Sequence, residues 1–362
     1  MTTAPSPSPA RIGLIGAGWR AEYFSRIARE LPDRFEIVRV LVRTERSATS
    51  VTRSWAVPAT TDLAEFLRGT YDYVVVSTPV AAAPELIEAL VGAGIPVLTE
   101  TPPAADVAAL VALWRAVGGG PVQVAEQYHL QPHHAARIAV AHSGLIGEIT
   151  STRVSVAHGY HGVSLVRRAL GVGLDPVVVT AREVGDRMFA SRGRDGWAAT
   201  LDEVPNRRTI ALLQFADAGQ TGVFDFAEEQ YWSPGRSRHL SIHGTRGEVD
   251  DDEVNYLAGP ARPVHGRLGR EATGVDGDLS GMHLERIVLG GEPYYENRFG
   301  GARLNDDELA VAEAMHRMAH FAATGVGFYG LAEASHDQHL ALLIGEAASS
   351  GGEVVSERMP WA

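Results

Sequence analysis

A short apolar run at residues 12–15 breaks directly into Gly16-Ala17-Gly18-Trp19-Arg20-Ala21, and helix-like sequence follows. No other feature constrains the fold as much as this Gly-x-Gly-x-x-Ala turn. Gly16 permits a tight turn out of a strand. Gly18 lets backbone approach a pyrophosphate, and Ala21 lets helix and strand pack closely. Phosphates then sit on the amides of a helix N-terminus, where the helix dipole favours negative charge. A glycine pattern alone is weak evidence, but here strand, turn and helix stand in the required order. The other reading of the same residues is a glycine-rich turn that holds no nucleotide.

The residues behind the turn keep alternating. Strand-like runs at 35–42, 73–77, 96–99 and 122–125 are separated by helix-like segments at 20–30, 47–55, 63–68, 82–92 and 106–117. The run Y-V-V-V-S from Tyr73 suits the middle of a parallel sheet. Such alternation with short connections predicts a doubly wound parallel sheet. The pattern changes near Glu126. Beyond a helix at 137–142, strand-like segments at 152–157, 177–184, 208–215, 222–228, 238–243 and 247–250 dominate, many with period-two alternation. That predicts an antiparallel sheet with one face covered. A helix is expected at 164–170 and two more at 306–323 and 331–349, with loops over 256–305. The expected fold class is α/β: an N-terminal Rossmann-type sheet plus a C-terminal α+β domain with a large, mostly antiparallel sheet. The boundaries read as a disordered tail at 1–10, a dinucleotide-binding domain at 11–125 and a second domain at 126–362.

With 362 residues the chain has room for two sizeable cores. A net charge of −12 argues against nucleic acid or an anionic membrane as partner. The chain has no cysteine, so disulfides, thiolate catalysis and thiolate metal sites are excluded. Residues 1–9 lack the basic and apolar regions of a secretory signal. No apolar run approaches the ~18 residues of a membrane span. A cytoplasmic protein is expected.

Ligands of such sheets bind at the carboxyl ends of the strands. After the second strand, V-L-V-R-T-E-R-S offers no acid at the tip for a ribose hydroxyl. Arg43 can instead fork onto a ribose phosphate. A solvated turn is the alternative, and Glu45 serves the ribose if the strand ends later. The cofactor is therefore read as NAD(P). Ser77, Thr78 and Pro79 end the central strand: Thr78 can donate to a carbonyl or phosphate, and Pro79 rigidifies the turn. Glu100-Thr101-Pro102-Pro103 falls on the same rim.

These motifs in series resemble the Gfo/Idh/MocA oxidoreductases, the glucose-fructose oxidoreductase and inositol dehydrogenase-like family. The resemblance rests on G-L-I-G-A-G-W-R-A, V-V-V-S-T-P, P-V-L-T-E-T-P-P, the H-L-Q-P segment with its G-L-I-G-E-I turn, and Y-H-G-V-S-L-V-R-R-A-L-G from Tyr160. Taken with the readings of the turn and strand tips above, it gives Gly16, Gly18, Trp19, Arg20, Arg43, Ser77, Thr78, Pro79, Glu100 and Gln127 as the candidate cofactor contacts. It also implies that the second domain serves as substrate wall and as the surface of a homo-oligomer, a dimer or tetramer. The family's Glu-x-Pro turn usually carries a lysine that stabilises developing alkoxide charge. Here Thr101 stands there and can only orient a ligand. The family also tends to place Asp four residues before a histidine that matches His161; here that position is Ala157.

His161 is the best general acid/base candidate, since its pKa class suits proton transfer near neutral pH. Tyr128 and Thr101 complete the candidate catalytic set. Strand alternation turns Tyr160 and His158 away from His161 unless the chain has already turned. His129, His158, Tyr160, Tyr231 and Trp232 are the candidate substrate wall, since aromatics and hydrogen-bonding groups together suit a polyol. Of fourteen histidines, His129/His133 and His316/His320 are paired four apart, but neither pair has the H-E-x-x-H glutamate, and no metal is expected. The resemblance implies hydride transfer at a ring carbinol of a sugar, cyclitol or derivative, with a small-molecule substrate. The alternative is a redox-neutral NAD-dependent enzyme that oxidises transiently, cleaves a glycosidic bond and re-reduces. A third is an inactive nucleotide-binding sensor.

Overall fold

The computed structural model describes residues 8–215, 218–274 and 281–362. Of the expected tail, residues 1–7 lie outside that set, and Ala10 already belongs to the first strand. The chain runs β1 (Ala10–Ile15), α1 (Trp19–Glu30), β2 (Phe35–Leu41), α2 (Glu45–Trp55), β3 (Ala59–Thr60), α3 (Leu63–Leu67), β4 (Tyr73–Val76), α4 (Ala83–Gly92), β5 (Val97–Thr99), α5 (Val107–Val117) and β6 (Val122–Val124). The six strands form one parallel sheet in the order β3-β2-β1-β4-β5-β6. This is the doubly wound order, with its ligand crevice where the winding reverses between β1 and β4. All four residues of β4 are buried, as a central strand covered on both faces requires. The Thr44, Asp62 and Asp106 side chains accept from first-turn amides of α2, α3 and α5, which fixes where those helices begin.

The second region begins with α6 (Pro132–His142), β7 (Ile149–Ser155) and α7 (Gly159–Leu170). Here β7 sits inside a nine-stranded sheet. On one side it continues through His239–Gly244, Gly247–Asp250 and Glu253–Leu257 to Pro263–Arg267. On the other it continues through Gln220–Ala227, Glu203–Phe215 and Val177–Phe189 to Glu353–Val355. The pairing of β7 with Gln220–Ala227 is parallel, and the other neighbours are antiparallel. Val177–Phe189 and Glu203–Phe215 run longer than the sequence pattern indicated, and their hairpin reaches back to the dinucleotide-binding domain: the Arg194 guanidinium lies 4.6 Å from the Trp19 ring centroid.

The loops expected over 256–305 are largely strands. Gly269–Thr273, His283–Leu289 and Glu292–Glu296 form a separate three-stranded sheet. These strands are short and half-exposed, so neither an apolar run nor clean alternation marks them. Gly290 and Gly291, both with positive φ, make the two-residue turn between the last two.

The last helices, α8 (Asp306–Thr324) and α9 (Leu331–Ser350), return to the first domain. The Tyr73 hydroxyl donates to the Met315 carbonyl at 3.2 Å. Gln123 Oε1, from the middle of β6, accepts from the Phe328 and Tyr329 amides at 2.8 and 3.0 Å. Met359 and Trp361 are buried in one apolar cluster with Ile15, Val76, Val97 and Leu110. Among the described residues no helix is long and apolar enough to cross a membrane.

Candidate active site

The glycine turn leaves β1 at Gly16, whose φ is +117°. A Cβ there would stand 2.1 Å from the Ser77 carbonyl oxygen, so only glycine fits between the ends of β1 and β4. Gly18 differs. It is the extended residue before α1, with φ −79° and no side-chain cap. Nothing lies within 4 Å of the place its Cβ would occupy. The first amides of α1 are thus left to an outside acceptor. Around this rim three enclosed polar atoms have no partner among the described residues: Arg20 Nη2, Thr78 Oγ1 and Gln127 Oε1. They follow β1, β4 and β6. An anion-receptive helix end, an open glycine and orphaned groups beyond the ends of β1, β4 and β6 fit a dinucleotide. Gly18 and the α1 amides would hold its pyrophosphate, and Thr78 and Gln127 would serve its other polar groups.

Arg20 Nε donates to Glu100 Oε1 at 2.8 Å, and Nη1 lies 3.6 Å from Asp307. Burial lowers the Arg20 pKa, but Glu100 and Asp307 outweigh it and hold the guanidinium charged. Trp19 is mostly exposed beneath Arg194. Ser77 donates its amide to the Ile15 carbonyl at 2.9 Å, and Pro79 opens the turn toward α4. Arg43 lies two residues past β2 and is exposed. Glu45 Oε1 accepts from Thr61 Oγ1 at 2.5 Å. Thr101 is half-buried after β5, with a cis peptide to Pro102.

The expected strand geometry around His161 is corrected by the structure. The helix expected from 164 starts at Gly159, so Tyr160 and His161 lie in its first turn and His158 caps it. Successive side chains there diverge by a helical step instead of alternating. Tyr160 is therefore withdrawn from the substrate wall. Its buried hydroxyl meets the Tyr329 hydroxyl at 2.9 Å, Tyr329 donates to Asp337 at 2.5 Å, and Asp337 accepts from Arg167 at 2.6 Å. His158, expected to face away, instead lies edge-on to His161, with ring centroids 5.1 Å apart.

His161 also has a carboxylate partner that the sequence reading missed. Its Nδ1 is 2.6 Å from Glu126 Oε2, and the Tyr128 amide donates to Glu126 Oε1 at 2.9 Å. Glu126 is fully buried. It comes from the exit of β6, not from the position four residues before the histidine. An acid directly following the last parallel strand was the available signal. His161 Nε2 makes no hydrogen bond among the described residues and is not enclosed.

Aromatic groups surround it. The Tyr128 and His161 rings are 4.6 Å apart, His158 and Tyr231 6.2 Å, and Tyr231 and Trp232 4.9 Å. Burial and then the neighbouring Tyr231 push the Tyr128 hydroxyl far above its ordinary range, so it stays protonated. Burial, reinforced by His161, pulls His158 down to about 4, so it is neutral near pH 7. His129 is not brought into this group. It turns to Tyr329, 5.8 Å away, and burial with Arg168 and Arg317 nearby holds it neutral. The other paired histidines have local partners: His133 faces Asp306 at 3.4 Å, and His316 accepts from Arg298 at 2.8 Å.

Residues 10–128 match the family described as "Oxidoreductase family, NAD-binding Rossmann fold", Gfo/Idh/MocA. No curated protein matches the chain in sequence. The fold recurs in solved structures. A levoglucosan dehydrogenase in complex with NADH and levoglucosan superposes with a TM-score of 0.72 at 19% identity, over 97% of this chain and 100% of that one. An oxidoreductase from Agrobacterium radiobacter in complex with NAD+, L-tartaric acid and magnesium gives 0.69 at 18% identity, over 96% and 98%. GenD2 from gentamicin A biosynthesis in complex with NAD gives 0.65 at 19% identity, over 98% of each. These likenesses show a shared fold along nearly the whole chain. The glycine turn, the strand order and the matched segment agree: residues 10–128 form a Rossmann domain that matches the NAD-binding Gfo/Idh/MocA oxidoreductase model.

Proposed function

We propose that the chain is an NAD(P)-dependent oxidoreductase acting at a ring carbinol of a sugar, cyclitol or sugar derivative, with His161 as the proton-transfer group. The observation that carries this reading is the placement of His161. Its Nδ1 is fixed on a buried carboxylate while Nε2 is left open, among aromatic side chains on the rim that holds the glycine turn. A bound nicotinamide supplies hydride acceptance and donation at carbon. The protein's side chains do the rest. His161 Nε2 takes the hydroxyl proton as the carbonyl forms and returns it in the reverse direction. Tyr128, always protonated, donates a hydrogen bond to a substrate oxygen and cannot act as a base. Tyr231 and Trp232 offer faces for the apolar side of a sugar ring, and neutral His158 offers a hydrogen bond. Thr101 orients the ligand. A protein of the same fold crystallised with NADH and levoglucosan supports the sugar reading.

The test is turnover, followed at the reduced-nicotinamide absorbance with sugars and cyclitols and either cofactor. His161→Ala should lower kcat by roughly 10²–10⁴-fold. An unchanged rate removes His161 from the chemistry. Thr101 favours one second reading, because a neutral residue stands where a cation would stabilise an alkoxide. In that reading the cofactor is retained and a glycosidic bond is cleaved without net reduction. Release of aglycone from aryl glycosides with no gain in reduced cofactor would select it.

The assembly we propose is a homo-oligomer joined through the open face of the nine-stranded sheet. Val184, Ile210, Leu212 and Val355 lie exposed on that face, opposite the buried Val179, Ala181, Ala211 and Leu213. Exposed apolar side chains gathered on one sheet face mark an association surface.

A further inference from the structure

Glu126 stands out among the buried charges of the described residues. It is fully enclosed, and no arginine or lysine lies within ion-pair distance of it. Both its oxygens are committed, one to the Tyr128 amide and the other to His161 Nδ1. A carboxylate held in a dry interior is costly unless hydrogen-bonded and charge-balanced. The amide supplies a hydrogen bond but no charge, so the imidazole of His161 is the one group in contact with Glu126 that can become cationic. A carboxylate only accepts, so the shared proton resides on Nδ1 and a neutral ring leaves Nε2 bare. The two residues come from different elements, Glu126 from the exit of β6 and His161 from the first turn of α7.

We infer that Glu126 is a positioning residue: it holds His161 with Nδ1 protonated and Nε2 bare toward the substrate, and balances the ring's charge when Nε2 takes a proton. This rests on the proposed oxidoreductase reading for its catalytic consequence, though not for its geometry. In the forward step the substrate O–H bond breaks, its proton forms a bond to Nε2, and the Nδ1 proton stays where it is. The residue is nearly isosteric in Glu126→Gln. The glutamine carbonyl can still accept from the Tyr128 amide, but its NH2 then faces Nδ1. That reverses the hydrogen bond, leaves Nδ1 bare and puts the proton on Nε2, which can no longer accept one.

The experiment is 15N NMR of histidine-labelled protein at a pH where the imidazole is neutral, with His161 assigned by its loss in His161→Gln. Wild type should show a protonated Nδ1 and a pyridine-type Nε2, and Glu126→Gln should show the reverse. In steady-state assays of that variant kcat should fall by roughly 10²–10⁴-fold. KM, and the Kd for NADH read by fluorescence, should stay within about twofold. A wild-type ring protonated on Nε2 overturns the inference, as does a Glu126→Gln variant that keeps its tautomer and kcat. If the variant does not fold, the wild-type spectrum decides alone. If no sugar or cyclitol is turned over, the functional reading fails while the spectrum still decides the pairing.

Discussion

At the scale of single residues, two glycines of one turn do different jobs. Gly16 is required by the backbone, because its positive φ and the 2.1 Å approach to Ser77 leave no room for a side chain. Gly18 is required by nothing in the protein; its side is open. Gly16→Ala should therefore destabilise the fold by roughly 1–3 kcal/mol or more, seen as a lowered Tm. Gly18→Ala should change stability by less than about 1 kcal/mol. Its methyl would stand where the phosphates approach, so the NADH Kd should rise about tenfold or more in a fluorescence titration. Equal effects on Tm from both would remove the assignment of Gly18 to the cofactor. The glycines were legible in the sequence because their constraint is local. Glu126 was not, because its partner lies 35 positions away and only the tertiary fold brings Nδ1 to it.

Helices and strands were read best where burial was one-sided or complete. The Rossmann strands and terminal helices fall close to where apolar periodicity put them. The start of α7 was missed because Gly159-Tyr160-His161-Gly162 carries no apolar period and has a glycine at each end. Yet that first turn sets the direction of His161. Within the pair α7 and α9, the ion pair Arg167–Asp337 is buried and His336 lies nearby, only 2% exposed. Burial and then Arg167 pull the His336 pKa down to about 3. The unfolded chain protonates near 6.5, so it binds more protons than the folded one below that pH. The contribution of neutral His336 is thus fully present above about pH 6.5 and is lost progressively as pH falls toward about 3. The urea midpoint of wild type should decline between pH 7 and pH 4, and His336→Leu should decline less steeply. Parallel curves would show that His336 does not titrate across folding.

For the whole molecule, the two faces of the large sheet have separate tasks. The covered face carries α7 and α9 and so sets His161. The open face carries Val184, Ile210, Leu212 and Val355. If that face joins copies of the chain, light scattering should give a dimer or tetramer, and Ile210→Asp combined with Leu212→Asp should lower the mass to that of a monomer. A monomeric wild type would dismiss the proposed assembly. The domains are not separate bodies joined by a linker, since Trp361 and Met359 complete an apolar cluster begun at Ile15. During synthesis, then, the glycine turn leaves the ribosome long before the side chains that finish its own domain's core. Complete packing of that core waits on Met359 and Trp361. A chain cut before Met359 should therefore expose part of the apolar flank that Met359 and Trp361 cover, and bind an apolar dye more strongly than the full chain.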